Sequence, residues 1–226
     1  MFEAIAEIAK EVLSNSVEEL QISESVIDDM QGLLSRINDV VESSSGGEIV
    51  DQEVQQLESN ASFLKDGHRY FTDDNGKIYR CDDELLPESE YEINGYKYTT
   101  DDMGRITSAE GKVHLKTHEG RLDIKDSKEA IGRGDELPTD DRGHLIGDQL
   151  DGSNGMENIV AQDAGINKGA YKSLEDRIAK AVRDGHNVDV KVEPIYGDKL
   201  SYRPTEIKYT YTIDGEKNIT LFPNGR

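Results

Sequence analysis

Two ten-residue stretches match at an offset of 28: Arg69-Tyr-Phe-Thr-Asp-Asp-Asn-Gly-Lys-Ile78 and Lys97-Tyr-Thr-Thr-Asp-Asp-Met-Gly-Arg-Ile106. They share a basic residue, Tyr, Thr-Asp-Asp, Gly, a second basic residue and Ile. An Asp-Asp-x-Gly segment between extended flanks reads as a hairpin turn, because glycine takes a positive φ without a Cβ clash. This part of the chain is therefore expected to be antiparallel β structure. Two copies are too few for a stacked repeat architecture.

The C-terminal third continues the β pattern. V-D-V-K-V-E-P-I-Y at 188–196 and I-K-Y-T-Y-T-I at 207–213 alternate as strands, and Asp214-Gly215 turns into a last strand ending at Phe222. Between them, a helix over 168–184 would bury Leu174, Ile178, Ala181 and Val182. The expected class is α+β, an antiparallel sheet carrying that helix on one face. Lys112–Lys116 reads as a further strand, in which His114 and His118 lie too far apart to hold one metal ion. His186 reads as a turn residue.

The N-terminal part has a different period. Phe2, Ile5, Ile8, Ala9, Val12 and Leu13 share a helical face, and Ile27, Met30, Leu34, Ile37 and Val41 step by three and four. Residues 1–45 are expected to form an amphipathic helical hairpin that packs on the chain, docks on a partner or supports a homo-oligomer. Residues 46–68 read as a linker, starting with the Ser-Gly run at 43–47, and a short polar helix within 48–64. The remaining unit is 69–226.

Charge follows this division. The net charge of −21 over 226 residues is unusual for a nucleic-acid binder. Residues 1–70 hold 15 acidic and 4 basic side chains, net −11; residues 71–92 hold 8 and 2, net −6; residues 93–226 hold 24 and 20, net −4. The C-terminal part is close to neutral, so the acidity does not exclude a polyanionic substrate there. Cys81 is the single cysteine, so no disulfide forms within the chain. No basic segment followed by a long apolar run is present, which argues against a secretory signal peptide and a membrane span. The expected location is the cytoplasm, or outside the cell by a leaderless export route or as part of a longer precursor.

Thr139 to Glu175 carries the chemistry. It contains Asp141-Arg142-Gly143-His144, Asn158 opening N-I-V-A-Q-D, Asn167 opening N-K-G-A-Y, and Leu174-Glu175, with the second asparagine nine positions after the first and the glutamate eight positions further on. In this order and spacing the stretch resembles the DNA/RNA non-specific endonucleases of the ββα-metal class, over roughly residues 95–226. The resemblance implies a metal-dependent endonuclease using Mg²⁺ or Mn²⁺, with DNA or RNA as substrate. His144, Arg142, Asn158 and Glu175 would be catalytic, Asn167 the metal ligand, and Arg121 or Arg133 a contact to substrate phosphate.

Elementary chemistry agrees with these roles. A neutral imidazole can take a proton from water at physiological pH. A side-chain amide oxygen suits a hard divalent cation and leaves it its full charge. A planar guanidinium suits a phosphate oxygen pair. Glu175, beside the helix's buried face, would hold a metal-bound water. Taken singly, each residue has a structural reading: Asn167 as a helix N-cap, Asn158 in a turn, Glu175 paired on the surface, His144 as a core histidine. Asp140 and Asp141 read as strand-edge and turn residues.

The tandem hairpins resemble the tyrosine/aspartate repeats that precede toxin domains in bacterial polymorphic toxins; a purely local duplication is the alternative. The first resemblance implies a toxin effector and a cognate immunity protein. A housekeeping or phage nuclease, and a non-catalytic interaction module, are the rival readings.

Overall fold

The computed structural model describes residues 57–225. The helical hairpin expected over 1–45 and the Ser-Gly linker lie outside the described residues. Strands β1 (Ser62–Lys65), β2 (His68–Thr72), β3 (Ile78–Cys81) and β4 (Glu84–Leu85) form a four-stranded antiparallel sheet in sequence order. β5 (Glu90–Ile93), β6 (Tyr96–Thr100) and β7 (Ile106–Lys112) begin a second sheet. A short helix α1 (Lys128–Gly132) then leads to a separate ribbon of β8 (Asp140–His144) and β9 (Ile159–Asp163). One turn of helix, α2 (Ala164–Ile166), a π-type turn (Asn167–Tyr171) kinked at Gly169, and α3 (Lys172–Arg183) follow in direct succession. β10 (Val188–Ile195), β11 (Glu206–Ile213) and β12 (Glu216–Pro223) complete the second sheet, ordered β12-β11-β10-β7-β6-β5. The architecture is mostly antiparallel sheet with few helices, in line with the α+β expectation.

The 28-residue period extends well beyond the matching decapeptides. The strands β1–β2 recur as β5–β6, and the bulge between Phe71 and Thr72 recurs between Thr99 and Thr100. Thr72 Oγ1 accepts from Ala61 N and donates to the Glu58 carbonyl; Thr100 Oγ1 accepts from Ser89 N and donates to the Leu86 carbonyl. Gly76 (φ +78°) and Gly104 (φ +74°) sit so close to the carbonyls of Leu57 and Leu85 that a Cβ would approach them within 2.3 and 2.5 Å. Each hairpin turn is thus sealed by a backbone carbonyl from the first residue of its own repeat. The repeated unit is three strands long, 57–84 and then 85–112.

Two expectations are corrected by this. Residues 62–65 are a strand and not helix, because Asp66 (φ 51°) and Gly67 (φ 85°) turn the chain back onto β2. Among the described residues the β structure accordingly starts at Ser62 and not at 69. The strand expected at 112–116 is displaced as well: β7 ends at Lys112, opposite Asp189, and the chain leaves the sheet. There His114 stacks on Tyr96 at 5.1 Å and meets Asp151 at 3.0 Å.

Alternation in β10 and β11 buries Val188, Val190, Val192, Ile207 and Tyr209, and α3 covers them with Leu174, Ile178 and Ala179. Ala181 and Val182, expected in that face, are only partly covered. Tyr171 packs edge-on to Tyr209 and against Phe222. Two buried ion pairs tie the parts together. Arg203 grips Asp140 through two bonds of 2.7 and 2.8 Å at the base of β8, and Arg80 reaches from β3 to Asp126 at 2.7 Å. Such pairs position elements more than they stabilise them, since desolvation offsets most of the attraction. Among the described residues no helix is long and apolar enough to cross a membrane.

Candidate active site

The ribbon, the loop after it and the helical segment converge on a cleft of about 550 Å³. Its walls include Asp141, Arg142 and His144 from β8, Gly147 and Asp148 from the following turn, and Asn167, Lys168 and Glu175 from the helical segment. Arg121 lines it from the connection before α1.

His144 ends β8 and is buried. Its Nε2 lies 3.3 Å from Asn154 Oδ1. Burial pushes the imidazole pKa below its ordinary value; the contact with Asn154 opposes this and the charge of Arg121 adds to it. The ring is therefore neutral at physiological pH. An Nε2–H donated to Asn154 leaves Nδ1 with the basic lone pair.

Glu175 is the most perturbed carboxyl of the cleft. Burial drives its pKa up to about 8, while the Gly147 N–H holds it down in part. Its Oε1 is buried with no hydrogen-bond partner. Gly147 makes room for it: a Cβ there would come within 2.5 Å of both carboxylate oxygens. Asn167 donates Nδ2 to Asp141 at 3.0 Å, so its Oδ1 is left for another partner. Burial opposes ionisation of Asp141, but bonds from Lys168 and Asn167 outweigh it and keep the carboxylate charged. An orphaned carboxylate oxygen and an amide oxygen facing one cleft are a donor set that fits a hard divalent cation.

The other expected residues fall into place differently. Asn158 is fully buried and completely satisfied: Oδ1 accepts from Ile146 N at 3.0 Å, and Nδ2 donates to the carbonyls of Ile146 and Ser153, each at 2.8 Å. It shapes the loop that carries Asn154 and does not line the cleft. Arg142 lines it, but Nη1 is bound to the carbonyls of Ile124 and Asp126, leaving Nε and Nη2 unbonded among the described residues. Arg121 is exposed at the cleft, whereas Arg133 is not brought to it. Arg133 caps α1 in a left-handed conformation (φ 50°), pairs with Glu84 at 2.9 Å and stacks over Tyr202. Asn167 is not an N-cap, because Asp163 caps the helical segment four residues earlier. Asp140 has the structural role expected of it, and His186 is held at a turn by Asp214.

Asn154 and Asp141 are site residues that the sequence alone did not single out. Asp141 belongs to the quoted motif, and strand alternation with Asp140 was the available signal. Asn154 offered none, since its approach to His144 depends on the fold of the 151–158 loop.

A buried histidine held neutral thus shares one cleft with an amide oxygen and a carboxyl oxygen of the donor type a hard cation takes. Residues 87–215, more than half of the chain, match the family model described as DNA/RNA non-specific endonuclease, and the chain belongs to that family. It is 35% identical over 138 residues to the type VII secretion system protein EssD of Staphylococcus aureus (strain USA300), covering 52% of this chain and 22% of that protein. It is 32% identical over 107 residues to the probable deoxyribonuclease RhsA of Dickeya dadantii (strain 3937), covering 47% of this chain and 7% of that protein. The chain thus spans less than a quarter of the length of these relatives. Among solved structures, magnesium-bound NucA from Streptococcus agalactiae is 16% identical with a TM-score of 0.46, over 74% of this chain and 83% of that one.

Proposed function

We propose that the chain is a divalent-cation-dependent endonuclease that hydrolyses DNA, or RNA, with little sequence preference, as a bacterial toxin effector opposed by a cognate immunity protein. The observation that carries the catalytic part is the buried, unpartnered Oε1 of Glu175 in the same cleft as neutral His144 and Asn167 Oδ1. Asn167 and Glu175 would hold the cation, Asn167 directly and Glu175 through a bound water or directly. When bound, the cation would withdraw charge from the phosphoryl oxygens and the leaving oxygen.

The chain's own residues supply the rest. His144 Nδ1 accepts a proton from the attacking water, and Asn154 keeps the ring in the tautomer that can do so. Arg142 offers Nε and Nη2 to a phosphate while its Nη1 keeps the connecting loop in place. Arg121, Lys168 and Lys172 add positive charge around the cleft. Its lining includes no Phe, Tyr or Trp among the described residues, so bases find little stacking surface there, which favours reading of the backbone over the bases. The toxin reading is supported by the likeness to EssD, named as a secretion-system protein, and to RhsA, named as a probable deoxyribonuclease.

The test is incubation of the purified chain with supercoiled plasmid and with labelled RNA, in Mg²⁺, Mn²⁺ or EDTA, beside His144→Ala. Cation-dependent nicking lost in the variant is expected. Intact nucleic acid in every condition, with the chain folded, would refute the reading.

A further inference from the structure

Outside the cleft, three side chains of different ligand types meet on the first repeat. One ligand atom each from His68, Cys81 and Asp82 lie within 4.8 Å of one another. We propose that they form a second metal site, for a thiophilic divalent cation of the zinc class. A tetrahedral ion with bonds of about 2.0–2.3 Å needs ligand atoms roughly 3.5 Å apart, so small side-chain rotations close the shell. A thiolate, an imidazole and a carboxylate select zinc or cobalt over magnesium, and three protein ligands leave a fourth position for water. Solvent reaches that position, since the His68 and Asp82 side chains are 59% and 48% exposed.

The carboxylate is already aimed. Asp82 adopts φ 50° after β3, donates its backbone N–H to the Arg69 carbonyl at 2.7 Å, and accepts the Arg69 N–H on Oδ1 at 2.7 Å. Oδ2 is thereby directed to His68 Nδ1, 2.7 Å away.

The second repeat shows what these positions do when no metal is wanted. Shifted by 28, His68, Cys81 and Asp82 become Tyr96, Ala109 and Glu110. Tyr96 and Ala109 are completely buried, Tyr96 bonds the Leu150 carbonyl, and Glu110 pairs with Lys191 of β10. No such neighbours cover the first repeat at these positions among the described residues, and its side chains there are ligand types instead. A metal bridging β2 to the end of β3 would replace the missing packing as a clip across the hairpin.

Cobalt(II) titration of the full chain tests this, because a thiolate-to-cobalt absorption band reports Cys81 alone and is blind to the oxygen ligands of the cleft. One equivalent of cobalt should produce the band and zinc should displace it. Cys81→Ser should abolish the band, and His68→Ala and Asp82→Asn should each weaken binding by roughly tenfold or more. Asn167→Ala should leave it intact, and Cys81→Ser should leave Mg²⁺-dependent cleavage unchanged. Absence of the band at saturating cobalt, or a band indifferent to His68→Ala and Asp82→Asn, overturns the proposal; circular dichroism confirms that each variant is folded.

Discussion

In the Thr-Asp-Asp-x-Gly turns, the side chains of the threonine and the first aspartate are taken up by hydrogen bonds, mostly to backbone, whereas along the cleft comparable side chains are left partly unused. Asp73 accepts from the N–H groups of Asn75 and Lys77 on Oδ1 and from Glu92 on Oδ2; Asp101 accepts from Met103 and Arg105. In the cleft, Glu175 Oε1 has no partner, His144 has a single long contact, and Asn167 keeps its oxygen. Satisfied polar groups on a hairpin specify its shape, and buried unsatisfied ones persist where a ligand completes them. The contrast teaches that substitutions in the turns should act on stability and those in the cleft on turnover.

The largest expected effect lies at His144. His144→Ala should lower the cleavage rate by about 10²–10⁴-fold, the usual worth of a general base. Thermal stability and calorimetric Mg²⁺ or Mn²⁺ binding should change little if, as proposed, the imidazole meets the water and not the cation. Asn167→Ala should instead weaken cation binding, with activity partly recovered at high divalent concentration. The reverse pattern, metal binding lost at His144 and kept at Asn167, would exchange the two roles.

Glu175 comes next, through pH. In EDTA its carboxyl keeps a proton in the folded chain up to about pH 8, against an ordinary value of 4.5. Below the ordinary value both states are protonated and the full stability is present. Between about 4.5 and 8 the unfolded chain releases a proton that the folded one retains, so stability falls as pH rises, by up to roughly 1.4 kcal/mol per unit, and levels off above 8. Asp140, Asp141 and Asp148 are held below 3.8, so their contribution is lost only in acid, as pH falls through that range. Denaturant titrations at several pH values should show the fall between 4.5 and 8 for the parent chain and a shallower one for Glu175→Gln, in which Glu157, also raised by burial, still contributes. An unchanged slope in Glu175→Gln would remove Glu175 from the set of unsatisfied groups.

Much of this division could be read from residues. Thr-Asp-Asp-x-Gly located both turns, alternation located β10, β11 and β12, and the motif spacing brought His144, Asn167 and Glu175 to one cleft. The full repeat could not be read, because its seals are the backbone carbonyls of Leu57 and Leu85, which any residue supplies. Arg121 and Arg133 were indistinguishable for a similar reason: the path of the loop between them separates cleft from turn. Asn158 shows the limit of spacing, since its register matches the motif while all its hydrogen bonds go to backbone.

Within the repeat, Asp73→Ala should destabilise more than Asp101→Ala. Asp73 is 1% exposed and reaches across to Glu92 in the second unit, whereas Asp101 is half-buried and its Oδ2 bonds Arg105 within the same turn. Losing hydrogen bonds to a buried charged group costs about 1.5–3 kcal/mol. Denaturant midpoints give the comparison, and cleavage rates below the transition should stay near parental for both. A tenfold fall in rate for a folded turn variant would break the division between turns and cleft.

The smallest effect is expected from shortening the N-terminus. A fragment from Gln56 keeps both repeats and every cleft residue, so its cleavage rate and melting temperature should match those of the full chain. A fragment from Ser62 also keeps the cleft, but it loses the Leu57 and Glu58 carbonyls that seal Gly76 and receive the Thr72 hydroxyl. It should cleave at the same rate while amide exchange accelerates in β2 and β3 and stays slow in β6 and β7, whose equivalent carbonyls, Leu85 and Leu86, are retained. Equal protection of the two hairpins in the Ser62 fragment would show that the carbonyl seals are incidental. Loss of cleavage in a folded Gln56 fragment would show that the acidic N-terminal segment takes part in turnover.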